Sequence, residues 1–334
     1  EVLPNSNLDD LMTPEAVLMR PSLLAIFDTV KDELYLTAPI YVREGISAAQ
    51  ALASAEGRIE EAIARLSRAL PTAPALPDLE SIAVASNTSK DEYFEMVARA
   101  KDYITAGDIF QVVLSQRFSA DFTLPPTALY RALRRTNPSP YMYFFDFGEF
   151  AVAGSSPEIL VRVQDGEVTI RPIAGTRKRG VTPARDKELA EELLNDPKEL
   201  SEHLMLLDLG RNDVGRVAKT GTVKVTDKFF LEYYSHVMHI VSNVVGVLDP
   251  QYDFVDALSA GFPAGTVSGA PKVRAMEIID ELEKSRRGIY GGCVGYFGAD
   301  GTMDTCIVLR TGIIKDGKLH VQSGAGIVAD SKPE

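Results

Sequence analysis

The stretch YMYFFDFGEFAVAGSSPEILVRVQDGEVTIRPI, residues 141–173, decides the fold class. Four runs of strand length, YMYFFDF, FAVAGSS, ILVRV and VTIRPI, are separated by a Gly148-Glu149 turn, a corner at Pro157 and the hairpin signal Asp165-Gly166. Connections this short join antiparallel neighbours, because a parallel pair needs a crossover of a dozen or more residues. The end of the chain follows the same pattern, with VGYF, a turn at Asp300-Gly301, CIVLRTGII, a turn at Asp316-Gly317, then LHVQSG. Helical patterns fall in separate runs, so the expected class is α+β, with antiparallel sheets and helices packed on their outer faces.

Working outward, IFQVVLSQRF (109–118) alternates Phe110, Val112 and Leu114 with Gln111, Val113 and Ser115, as a strand with one core face would. Before it, Ser89 caps a predicted helix through Ala106, with Tyr93, Met96, Val97, Ala100, Tyr103 and Ile104 as its apolar stripe and Gly107 as its stop. Residues 24–42 read as two short strands around a polar turn, and 47–70 as an Ala-rich surface helix. PTAPALPDLES (71–81) reads as a connection. The expected division is therefore 1–87 as an N-terminal remainder with its connection, and 88–334 as the functional domain.

The 334 residues are 45% hydrophobic and carry a formal charge of -12, enough for a substantial core but opposed to nucleic acid or an anionic membrane surface, either of which needs a basic footprint. A small molecule or a protein is the expected partner. Cys293 and Cys306 are the only cysteines, with no second pair to complete a zinc site, which fits a reduced cytoplasmic chain. No apolar run reaches the roughly 18 residues of a membrane helix.

Four segments hold candidate chemistry. In NDPKELSEHLMLLDLGRND (195–213), Asp196 and Pro197 open a helix that sets Glu199 and Glu202 one turn apart, with Leu200, Leu204 and Leu207 turned to the core. Two carboxylates followed by His203 suit a hard cation such as Mg2+, and equally suit a capping Glu199 beside a solvated Glu202. FPAGTVSGAPK (262–272) is a Gly-rich loop whose following helix takes Pro271 into its first turn; it can grip an anion or serve as an ordinary helix entry, and it is not a Walker A loop. Arg310, read as a strand residue in VLRTG, and Gly324 and Gly326 in QSGAGIV offer a guanidinium and backbone amides to a carboxylate, although a strand arginine is commonly structural. Glu158 reads as a turn residue at the proline corner and His239 as a core histidine, unless the site recruits them.

In order and spacing, GDIFQVVLSQRF, SSPEIL, PIAGTRKRG, SEHLMLLDLGRND, VMHIVS, FPAGTVSGAPK, YGGCVGYF and SGAGIVADS resemble the chorismate-utilising enzymes, within them the anthranilate synthase component I branch. The resemblance is dense from about Lys90 onward. It implies a large antiparallel sandwich that takes chorismate and ammonia to anthranilate and pyruvate in tryptophan biosynthesis, with Mg2+ as cofactor and a glutamine amidotransferase small subunit as the ammonia source. By the same resemblance Glu202 with Glu199 holds the metal, and Arg310, Gly324, Gly326 and Tyr290 hold the enolpyruvyl carboxylate. Thr266 contacts the ring carboxylate, Glu158 is the general acid and His239 helps remove a ring proton. Gln111 stands where water-using relatives carry a lysine base, and Ala174 where aminodeoxychorismate-forming relatives carry a lysine nucleophile, so amination with pyruvate loss is the expected course. Pro140, Tyr141 and Met142, with Val294 to Tyr296, resemble walls of a tryptophan feedback site, although aromatics there equally pack a core. The matching Leu-Leu-Glu-Ser inhibitor motif is absent, and the remaining metal glutamates are expected beyond Glu334. The rival readings are a sister chorismate enzyme and a catalytically silent binding fragment.

Overall fold

A computed structural model describes residues 3–41, 43–70 and 82–333. These fall into two compact units, one holding the described residues of Pro14–Leu79, the other those of Glu1–Thr13 and Glu80–Glu334. The connection expected at 71–81 lies outside the described residues. In the smaller unit β1 (Leu24–Asp28) and β2 (Glu33–Thr37) form a hairpin. Helix α1 (Ala48–Leu66) starts at a Ser47–Gln50 capping box, buries Ala55 and Ala62, and sends Arg58 to the carbonyls of Ser22 and Pro39 at 3.0 and 3.1 Å.

The larger unit opens with β3 (Ala85–Ser86), α2 (Lys90–Ala106), β4 (Gln111–Asp121) and α3 (Pro126–Thr136). The Ser89–Glu92 box starts α2, and Gly107 in the left-handed region at φ 84° ends it. Then follow β5 (Tyr141–Asp146), β6 (Phe150–Ser156), β7 (Ile159–Gln164), β8 (Glu167–Ile170), β9 (Ile173–Lys178), α4 (Pro183–Leu194) and α5 (Pro197–Gly215). The chain continues through β10 (Lys224–Tyr233), β11 (Val237–Val247), α6 (Phe254–Gly261), β12 (Gly269–Ala270), α7 (Lys272–Leu282), β13 (Cys293–Phe297), β14 (Met303–Ile307), β15 (Thr311–Lys315) and β16 (Lys318–Ile327).

These strands make two seven-stranded antiparallel sheets. One runs β12-β4-β16-β15-β6-β5 with β3 also on β4; the other runs β10-β11-β8-β7-β14-β13 with β9 also on β11. Helices α2 and α7 cover the first sheet through Met96, Ala100, Val112, Leu114, Ala275 and Ile278. Helices α5 and α6 cover the second through Leu207, Val214, Val161, Val244 and Ala257. A further cluster joins Tyr143, Val152 and Ile313 of the first sheet to Cys306 of the second. The expected α+β sandwich with outer helices is what the chain forms.

The meander changes sheet at its corner: β6 belongs to the first sheet and β7 to the second, with Pro157 and Glu158 between them. CIVLRTGII is likewise not one strand. β14 ends at Ile307 in the second sheet and β15 begins at Thr311 in the first, and Arg310 sits between them in the left-handed region at φ 50°. A segment that leaves one sheet for another must break its ladder, and apolar residues on both sides of the break conceal it from a pattern reading. The two crossings are tied together, since the Ser155 N–H donates to the Arg310 carbonyl at 3.2 Å and the Ile307 N–H to the Glu158 carbonyl at 3.1 Å.

Two further expectations need correction. Strand β4 has no solvent face at its start: Gln111 to Ser115 are all buried, whereas Phe110 precedes the strand and is 71% exposed. On α5 Leu207 is buried and Leu200 packs beneath α4, but Leu204 is 44% exposed. The buried stripe runs through His203, Leu206, Leu207, Gly210 and Val214, and its polar and glycine members hide it from a reading of leucines alone. Accordingly Leu207→Ala should cost about 2–5 kcal/mol, and Leu204→Ala about 0.5 kcal/mol or less, in urea unfolding; equal costs would contradict this orientation of α5.

Candidate active site

The carboxylate pair is built by the start of α5. Asp196 accepts from the Lys198 and Glu199 amides at 3.0 and 3.3 Å, and Pro197 takes the first helical position, where its missing N–H costs nothing. Glu199 and Glu202 then follow one turn apart. Glu199 Oε1 accepts from Arg177 Nη1 at 3.0 Å, while Glu202 Oε1 faces Gln111 Nε2 at 3.5 Å and has no cationic partner among the described residues. Burial and the neighbouring Glu199 charge push the Glu202 carboxyl above its usual range. No third His, Cys, Asp or Glu joins the pair among the described residues. Two oxygen-donor carboxylates beside an amide still fit a hard divalent cation that keeps several waters. Gly326 keeps the space open, since a Cβ there would lie 2.6 Å from Gln111 Nε2 and 3.7 Å from Glu202 Oε1.

His203 does not join the carboxylates. It is completely buried, bonds Ser242 Oγ through Nε2 at 2.7 Å and stands edge-on to Phe229, and burial lowers its pKa to about 4. A neutral core histidine that ties α5 to β11 is its role in the fold.

The paired sheet crossings place Glu158 and Arg310 together. Glu158 is 6% exposed, and burial pushes its carboxyl up to about 8 against weaker opposing pulls from the Thr266 hydroxyl, the Ile173 amide and Arg310. Arg310 is half-buried and makes no ion pair among the described residues; its only side-chain bond there is a long one, 3.5 Å to Ser139 Oγ. Burial lowers its pKa, while Tyr234 and Glu158 raise it. On β11, His239 turns Nδ1 toward Thr176 Oγ1 at 3.0 Å and the Gly175 carbonyl at 3.3 Å. Burial first, and Arg310 as a lesser influence, lower the pKa of His239. The carbonyl contact assigns the ring proton to Nδ1 and leaves Nε2 as the acceptor.

The Gly-rich loop is stapled to the start of β4. Phe110 N–H donates to the Ala270 carbonyl at 2.7 Å and Val113 N–H to the Ser268 carbonyl at 2.9 Å. Gly269 is required there: its φ is 142° and a Cβ would run into the Gln111 carbonyl. A single 3-10 turn, Gly265–Val267, presents Thr266, whose buried Oγ1 approaches Glu158 without making a hydrogen bond of ordinary geometry. Pro271 caps α7 from outside rather than sitting in its first turn. The loop and α5 are locked by the Lys272–Asp213 ion pair at 2.9 Å, both side chains nearly buried.

Tyr290 presents its hydroxyl to Gly324, where a Cβ would lie 2.8 Å away, and Gly324 and Gly326 face Ser115 and Val113 across β16 and β4. The structure thus places Gln111, Glu202 and Gly326 together, Thr266 and Arg310 near Glu158, His239 near Arg310, and Tyr290 with Gly324. Along the outer strands, the Tyr141 hydroxyl donates to Asp304 Oδ1 at 2.8 Å and accepts from Arg162 at 3.0 Å, and Tyr296, 62% exposed, lies opposite Asp304 in register. Asp304 therefore links the two segments that hold Tyr141 and Tyr296, with Pro140 exposed and Met142 half-buried alongside. Sequence reading passed over Arg177, Thr176, Asp304 and Arg162. Arg177 and Thr176 lie inside PIAGTRKRG, where only Ala174 stood out.

Comparison with known proteins adds the family. The chorismate binding enzyme family matches residues 3–334. Anthranilate synthase component 1 of Cereibacter sphaeroides is 61% identical over 335 residues, covering 100% of this chain and 67% of its own. The protein of that name from Pseudomonas aeruginosa is 52% identical over 332 residues, covering 98% and 66%. The crystal structure of anthranilate synthase component I from Streptococcus pneumoniae TIGR4 superposes with a TM-score of 0.83 at 43% identity, covering 92% of this chain and 68% of that one. The chain spans about two thirds of the length of the curated relatives it matches. By a match along nearly its whole length, joined to the sandwich and the clustered carboxylates, arginine and histidine, the chain belongs to the chorismate binding enzymes.

Proposed function

We propose that the chain is the chorismate-processing part of an anthranilate synthase large subunit, a lyase of tryptophan biosynthesis. The observation that carries this reading is Gln111. Its Nε2 faces Glu202, and its buried Oε1 has no hydrogen-bond partner among the described residues. A free amide acceptor suits an N–H donor such as ammonia and cannot deprotonate water. Ala174, 8% exposed, supplies no amine for a covalent route. The relatives' names support the same activity.

Chorismate plus ammonia gives anthranilate, pyruvate and water. Arg310, with no competing carboxylate partner among the described residues, would hold one substrate carboxylate, with the Tyr290 hydroxyl and the Gly324 and Gly326 backbone beside it. Thr266 would contact the ring carboxylate. When bound by Glu202 with Glu199, Mg2+ would orient the ring carboxylate and neutralise its charge. Ammonia held at Gln111 attacks the ring carbon beside that carboxylate. Glu158 transfers its proton to the departing hydroxyl, which leaves as water. The proton released by the attacking nitrogen returns to Glu158, and His239 Nε2 then helps remove the ring proton as the enolpyruvyl C–O bond breaks, that proton passing to the departing group, which leaves as pyruvate.

A glutamine amidotransferase small subunit is the proposed ammonia source; the relatives' designation as component 1 fits a second component. The edge around Pro140, Tyr141, Met142 and Tyr296 is the proposed contact for tryptophan as feedback inhibitor. Among the described residues no helix is long and apolar enough to cross a membrane, and both cysteines are free thiols. A cytoplasmic setting is consistent with this.

A general acid works only while protonated. With the Glu158 carboxyl at about 8, ammonium-dependent turnover of the complete protein should be held at lower pH and fall as pH rises through about 8, once the supply of free ammonia is corrected for. Glu158→Gln should lower kcat about 100-fold or more and abolish that limb, as read by anthranilate fluorescence; full turnover would refute the role. Chelation with EDTA should abolish anthranilate formation and added Mg2+ restore it, whereas activity indifferent to both would remove the metal from the scheme.

A further inference from the structure

Strand β9 carries three consecutive residues that all bear on the site. Gly175 lies against Glu199, its missing Cβ leaving 3.2 Å to Oε2; Thr176 bonds His239; and Arg177 turns to the start of α5. Arg177 is 20% exposed and spreads over three carboxylates, with Nε to Glu192 at 3.1 Å, Nη2 to Asp196 at 2.7 Å and Nη1 to Glu199 at 3.0 Å. Glu192 belongs to the last turn of α4, Asp196 is the cap of α5 and Glu199 lies in its first turn. A planar guanidinium can satisfy all three at once; a lysine ammonium, a point charge on a flexible stem, cannot reproduce the fork.

We propose that Arg177 is the positioning residue for the metal-binding carboxylates, holding Glu199 by one oxygen and leaving the other free beside Gly175; this rests on the reading of Glu199 and Glu202 as metal ligands. Two half-buried carboxylates one turn apart repel each other, and an unrestrained Glu199 would relieve the strain by swinging toward solvent. Arg177 opposes that in two ways. It neutralises part of the charge of Glu199 before a cation arrives, and it fixes the side-chain rotamer against a strand. A positive charge near a cation also repels it, so the sign of the net effect decides the matter. Outer partners that orient ligating carboxylates raise metal affinity in general, and restraint is the larger contribution expected here.

The test is Mn2+ binding, as a stand-in for Mg2+, followed by electron paramagnetic resonance in the complete protein, with thermal melting alongside. Arg177→Gln should weaken Mn2+ about 10- to 100-fold. Glu192→Gln, which removes only the outermost ion pair of Arg177, should stay within about threefold, and Glu202→Gln should lose the site. Arg177→Lys keeps the charge without the fork and should fall between wild type and Arg177→Gln; it carries the test if Arg177→Gln does not fold. Wild-type or tighter affinity in the arginine variants, with Glu202→Gln still defective, would overturn the positioning role alone. Unchanged affinity in Glu202→Gln would show that the metal reading itself is wrong and overturn the proposal with it.

Discussion

The site depends on one constraint: two of the chain's passages from one sheet to the other, at β6–β7 and at β14–β15, are hydrogen-bonded to each other. Ser155 N–H to the Arg310 carbonyl and Ile307 N–H to the Glu158 carbonyl tie the corners together. Each corner delivers a side chain that neither sheet could place from within a regular ladder. Glu158 is therefore dehydrated by the sandwich and kept near a guanidinium that makes no ion pair among the described residues. Burial raises the Glu158 pKa more than the nearby positive charge lowers it, the condition the proposed proton donor needs at neutral pH.

Around this pair the helices act as clamps. α5 brings Glu202 to Gln111 at the start of β4, and the Gly-rich loop is stapled to that same start through Gly269. The Lys272–Asp213 pair joins α5 to the helix that follows the loop. Removing either partner would leave a nearly buried charge uncompensated, so this contact specifies the arrangement of α5 and the loop more than it adds net stability. His203 does similar work without charge, bonding β11 through Ser242, so the histidine nearest the carboxylates in sequence is structural while His239 faces the site.

Much of this was legible in the sequence. Antiparallel hairpins, the Ser89 cap, the Gly107 stop and the Asp196-Pro197 helix start are local signals, and the fold follows them. The corner at Pro157 also announced itself. The break at Val308 to Arg310 did not, because residues on both sides of it have strand character and only the second sheet decides where the ladder ends. Burial of both faces of β4 and the exposure of Leu204 were hidden for a related reason: each depends on which neighbour covers a face, not on the residue's own pattern. The ion pairs of Arg177 lay outside local reasoning altogether, since its partners come 15 to 22 positions later in the chain.

The paired sheet crossings are expected to keep Glu158 protonated near neutral pH. Infrared difference spectroscopy of the carboxyl carbonyl stretch, comparing the protein with its Glu158→Gln variant across pH, tests it most directly. A protonated-carboxyl band present at pH 7, lost as pH rises through about 8 and absent from the variant, is the result expected from the buried corner. A Glu158 already ionised at pH 6 would contradict the account, because the burial that unites the two crossings would then not be setting the chemistry of the site.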